Sequence, residues 1–99
     1  MKKVKIWVVC ANDDIRAVIL RLINANEFWE ATGASDVKST IERLIAGVFD
    51  VLLVGSGLSE QEENSLIAYV RSQLPDVRII KHYGGGSGLL YGEIYQALS

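Results

Sequence analysis

The chain carries one cysteine and one histidine, so any nucleophilic or metal chemistry has few side chains to draw on. Cys10 stands just ahead of Asn12, Asp13 and Asp14. A thiolate can attack phosphorus, and paired carboxylates can hold Mg²⁺, which takes oxygen ligands. Each also has a plainer reading, Cys10 as a small buried hydrophobe and Asp13 and Asp14 as helix-capping residues. Ser56, between Gly55 and Gly57, offers a hydroxyl with no base at a fixed spacing. Lys81 and His82 follow an apolar run and are candidates to contact an anionic ligand. Gly84 to Gly88 then place Gly85 and Ser87 where backbone amides can approach a phosphate at a helix start, without the Lys-Ser/Thr of a P-loop.

These residues depend on the elements that carry them. Val4 to Cys10 is nearly all apolar or β-branched, the pattern of a strand buried on both faces of a parallel sheet. Ile15, Val18, Ile19, Leu22 and Ile23 recur at helical spacing and predict an amphipathic helix ending near Asn24 to Asn26. Phe28 to Thr32 reads as an edge strand. Ser35 and Asp36 cap a second helix with the stripe Val37, Ile41, Leu44, Ile45 and Val48, stopped near Gly47. Val51 to Val54 is a second fully buried strand. Ser59 and Glu62 have capping-box spacing ahead of Leu66, Ile67, Val70 and Leu74, and Pro75 closes that helix. Val77 to Ile80 forms a fourth strand, and Leu89, Leu90, Ile94, Ala97 and Leu98 mark a last helix. Four successive βα units with right-handed crossovers predict a three-layer α/β/α sandwich of flavodoxin-like type, its parallel strands in the order 2-1-3-4.

Composition narrows the classes. Ninety-nine residues, 49% hydrophobic and 22% charged, suit one folded domain over residues 1–99. A net charge of -2 gives no general attraction to nucleic acid or to an anionic membrane. No apolar run approaches a bilayer span, and no cleavage-site pattern follows the start, so a cytoplasmic location is expected. One cysteine excludes an internal disulfide, and with one histidine a structural zinc is not expected.

The runs Asp14-Ile15-Arg16, Gly33-Ala34-Ser35-Asp36, Phe49-Asp50-Val51-Leu52-Leu53-Val54 and Leu74-Pro75-Asp76-Val77-Arg78-Ile79-Ile80 resemble response-regulator receiver domains, over residues 4 to about 84. That resemblance implies an acidic pair after the first strand for Mg²⁺ and a phosphorylated aspartate after the third. Cys10 and Ala11 stand at the first place and Gly55 at the second; sliding by three positions offers Asp13 and Asp14, but no slide puts a carboxylate within Gly55 to Leu58. The chain also lacks about one βα unit of that pattern. It thus resembles a truncated pseudo-receiver, which implies a non-catalytic module that binds a protein partner and needs no cofactor.

A cysteine ending the first of four strands also resembles the IIB components of lactose/cellobiose sugar phosphotransferases, which implies phosphocysteine transfer through Cys10. The spacing of Cys10 and Arg16 is similar to that of cysteine phosphatases. In both cases Asp13 and Asp14 would repel a phosphate dianion at the helix start. The missing unit leaves the fourth strand as an edge, which predicts a homodimer or another protein contact around Ile80, Leu90, Tyr91 and Tyr95.

Overall fold

The computed structural model describes residues 3–82 and 87–98. Strand β1 (Val4–Val9) leads into helix α1 (Asp13–Asn24), β2 (Trp29–Ala34) into α2 (Val37–Ala46), β3 (Val51–Val54) into α3 (Glu60–Gln73), and β4 (Arg78–Lys81) precedes α4 (Ser87–Leu98). All strand pairings are parallel, in the order β2-β1-β3-β4. The uniformly apolar β1 and β3 occupy the centre, where both faces are covered.

Local chemistry sets the helix starts. The side chain of Asn12 accepts the Ile15 N–H at 2.9 Å, and that of Asp36 accepts the Ser39 N–H at 2.9 Å. Ser59 and Glu62 complete a reciprocal capping box on α3. Alternation along the strands then divides two cores. Ile6, Val8, Val51, Leu53 and Ile80 meet Ile19 and Ile23 of α1 and Leu90 and Ile94 of α4. Trp7, Val9, Leu52 and Val54 meet Leu44 of α2 and Leu66 and Val70 of α3. Each aliphatic side chain so buried contributes about 1.5–3 kcal/mol relative to an exposed one. The one polar side chain buried among the second set, Thr40, accepts from Trp7 Nε1 at 3.0 Å and donates to the Asp36 carbonyl at 2.8 Å.

The structure corrects several expected positions. Phe28 is outside β2 and exposed, because the chain turns at Asn26, whose carbonyl takes the Trp29 N–H at 3.1 Å. Ile15 and Val18 of α1 and Ile45 of α2 are exposed, since a helix lying on a sheet buries one narrow line, here Ile19–Ile23 and Thr40–Leu44. Val48 lies past the end of α2 and is exposed too.

The β2 edge of the sheet has its own closure. Phe28 and Ala34 turn their carbonyls toward β1, so Trp29, Ala31 and Gly33 point their backbone groups outward. The Asn24 side chain meets Ala31 in both directions, Nδ2 donating to the carbonyl at 3.0 Å and Oδ1 accepting the N–H at 2.8 Å. A side-chain amide thus stands where a neighbouring strand would pair. No helix among the described residues is long and apolar enough to cross a membrane.

Candidate functional site

The chain goes from β1 to β2 on one side and returns past β1 to β3, so strand order reverses between β1 and β3. In open parallel sheets, ligands bind beyond the strand carboxyl ends at such a reversal. Here that place is bounded by Cys10 to Asp14 and by Gly55 to Leu58, and the two segments are stitched together. The Gly55 N–H donates to the Val9 carbonyl at 2.8 Å and the Ala11 N–H to the Ser56 carbonyl at 3.1 Å.

Cys10 is fully buried, its thiol 3.5 Å from the carbonyl oxygens of Asn12 and Ser56. Gly55 packs directly on it: a Cβ at position 55 would stand 3.0 Å from Cys10 Cβ and 3.1 Å from Cys10 Sγ. Gly57 has φ +100°, and a Cβ there would stand 2.7 Å from Ala11 Cβ. Gly57 needs glycine for space and for its left-handed backbone, while a side chain at position 55 would press tightly on Cys10. Arg16 closes the other side, donating through Nη1 to the Cys10 carbonyl at 2.8 Å and through Nη2 to Asp13 Oδ1 at 2.8 Å. Asp13 is therefore occupied by an arginine, while Asp14 is exposed on the first turn of α1. Among the described residues no three of His, Cys, Asp and Glu converge as metal ligands.

Three solved structures share the fold along nearly the whole chain. The signal receiver domain of an HD domain-containing protein from Pseudomonas fluorescens Pf-5 superposes with TM-score 0.86 at 16% identity, over 98% of this chain and 95% of that one. The response regulator TrrA from Thermotoga maritima, in complex with Mg²⁺-BeF, gives 0.83 at 14% identity, over 98% and 99%. An orphan response regulator of H. pylori gives 0.80 at 10% identity, over 97% of each chain. The chain has the receiver fold. No protein-family model and no curated protein matches its sequence.

Within this receiver fold the remaining candidates scatter. The Ser56 carbonyl is engaged by both Ala11 and Cys10. Lys81, at the end of β4, lies 3.3 Å from Glu63 of α3. His82, the other candidate to contact an anionic ligand, is buried, with Nδ1 hydrogen-bonded to Glu93 Oε1 of α4 and its N–H donating to the Val54 carbonyl at 2.9 Å. It ties β4 to α4. Gly85 lies outside the described residues, as does the side chain of Ser87.

The expected contact residues divide likewise. Ile80 and Leu90 are core, not surface, because Ile80 points under α4 and Leu90 points down onto the sheet. Tyr91 is half-buried and donates its hydroxyl to the Leu22 carbonyl at 3.1 Å. Tyr95 is 58% exposed, its ring 5.0 Å from that of Trp29. Sequence reasoning missed Asn24 and Glu93. An asparagine in the last turn of a helix is a poor helix former, and that was the available signal for Asn24. Asp36 has a shifted acidity: hydrogen bonds from the Ser39 backbone and then its side chain hold it below the ordinary value of 3.8.

Proposed function

We propose that this chain is one receiver-like domain of a signalling protein that works by binding a protein partner and does not accept a phosphoryl group. The packing of Gly55 on Cys10 carries this reading. The receiver resemblance calls for an aspartate at position 55, and a side chain there would enter the space that Cys10 fills. Cys10 and Ala11 stand where the acidic pair would hold Mg²⁺, and neither offers an oxygen from its side chain. What remains of the scaffold is its surface. We take the domain to need no cofactor and to work in the cytoplasm.

Phosphocysteine transfer through Cys10 is disfavoured by the burial of its sulfur, which an in-line attack on phosphorus must expose. Incubation with acetyl phosphate and Mg²⁺, followed by intact mass measurement, tests both readings. The expected result is unmodified protein. An adduct of phosphoryl mass that survives in Cys10→Ala would overturn the proposal, and one lost in that variant would assign the carrier role.

A further inference from the structure

Helix α2 is too short for the strands beneath it. Its ten residues span about 15 Å and the six of β2 about 20 Å, so the helix stops before the start of the sheet is covered. Lys5 lies on the face of β1 that Trp7 and Val9 turn to α2, and Glu30 and Thr32 on the same face of β2, since Trp29 and Ala31 turn the other way. All three are exposed. They floor a cleft of about 240 Å³, walled by the end of α2 with Arg43 and by Val48 and Phe49 of the turn that follows. Lys5 and Glu30 are partners in the β1–β2 register, yet among the described residues no ion pair engages either of them or Arg43. Arg43 is nevertheless held: its Cζ lies 6.0 Å from the centre of the Trp7 ring. That ring is fixed in turn by its bond to Thr40 and by Phe49, which meets it edge-on at 5.6 Å.

We propose that this cleft binds a free apolar α-amino acid, with Arg43 and Lys5 taking its carboxylate, Glu30 its ammonium, and Val48 and Phe49 its side chain. This goes beyond the protein-binding reading above and does not depend on it. Charge selects the ligand. A plain anion entering the cleft meets Glu30, and a plain cation meets Lys5 and Arg43; a molecule with both charges on one carbon complements all three. A peptide terminus brings only one of the two. The planar guanidinium of Arg43 suits a carboxylate, which it can grip through two N–H groups. The α2 C-terminus, on the same wall, carries the negative end of the helix dipole and favours an ammonium. Val48 is 73% exposed and Phe49 half-buried, which gives the ligand an apolar surface to cover. Size sets the upper bound. The cleft is smaller than the roughly 300–1,000 Å³ of pockets for drug-sized ligands, so it suits an amino acid and not a nucleotide.

The test is an amide chemical-shift titration of the full ¹⁵N-labelled chain with millimolar L-phenylalanine. Saturable shifts are expected at Glu30 to Thr32, at Arg43 to Phe49 and at the Trp7 indole N–H. Hydrocinnamate, which lacks the ammonium, and phenethylamine, which lacks the carboxylate, should each bind about fivefold more weakly, as the loss of one exposed ion pair allows. Glu30→Gln should weaken the amino acid about fivefold and leave hydrocinnamate no weaker. Arg43→Gln should weaken the amino acid by about the same factor and leave phenethylamine no weaker. Both positions are exposed, and Lys5→Gln takes the place of Arg43→Gln should loss of the Trp7 contact unfold the chain. Shifts that are absent, unsaturable or centred on other elements would overturn the proposal. So would a one-headed analogue that binds as tightly as the amino acid, or variants that weaken both analogues alike, since the cleft would then be a site for a simple ion or for apolar groups only.

Discussion

Gly55→Ala isolates the contact on which the functional reading turns. Carbon and sulfur atoms in ordinary contact sit at least about 3.5 Å apart, whereas the new methyl would lie 3.0 Å from Cys10 Cβ and 3.1 Å from its Sγ. Cys10 cannot simply retreat. Its N–H is bonded to Ala34 at 3.1 Å and its carbonyl to Arg16 at 2.8 Å. Gly55 has no positive φ, so the cost is steric and not conformational. Overpacking of this kind costs about 1–3 kcal/mol, which lowers the urea midpoint by about 1 M. Cys10→Ala removes the sulfur contact but keeps the Cβ, so Gly55→Ala in that background should cost less, with a coupling of about 0.5–1.5 kcal/mol. Gly55→Asp adds a desolvated carboxylate and should cost more than Gly55→Ala. Urea unfolding followed by circular dichroism measures the parent and all four variants. A neutral Gly55→Ala, or strict additivity with Cys10→Ala, would refute the claim that these two residues exclude a larger side chain.

Other expectations follow from single contacts. A Cβ at Gly33 would stand 2.3 Å from the Val8 carbonyl oxygen across the β1–β2 pairing, so Gly33→Ala should destabilise by about 3 kcal/mol or more, read by thermal unfolding. Thr40→Val leaves the buried Trp7 Nε1–H without its acceptor and should cost about 1–3 kcal/mol, visible in urea titration by tryptophan fluorescence. Because folding lowers the pKa of Asp36, its contribution is complete above the ordinary value of 3.8 and is lost as pH falls through the lower folded value. Carbon-detected titration should place its midpoint below 3.8, and Asp36→Asn should flatten the acid limb of the stability curve.

The sheet was legible because its signals are local. Unbroken apolar runs at Val4 to Val9 and Val51 to Val54 demand two covered faces, and the mixed segment from Trp29 suits an edge. The side of the sheet that α4 covers was not legible. Leu89, Leu90 and Ile94 would serve either face, and the choice is recorded in the Tyr91 hydroxyl bond to Leu22 and the His82–Glu93 contact, which periodicity does not encode. At the site, the preference for Cys10 as a small buried hydrophobe needed only its neighbours in sequence. The demand for glycine at position 55 arises 45 residues away from Cys10 and becomes visible only when β1 and β3 lie side by side.

The closure of the β2 edge also bears on which neighbours the sheet can recruit through backbone pairing. Asn24 takes both outward groups of Ala31 and the Asn26 carbonyl takes the outward N–H of Trp29, so a strand approaching β2 meets its middle position already filled. Indefinite growth of a cross-molecule sheet needs two receptive edges on every unit, and a blunted β2 removes one of them. Asn24 thus works against polymerisation, because it denies runaway assembly an attachment point along β2.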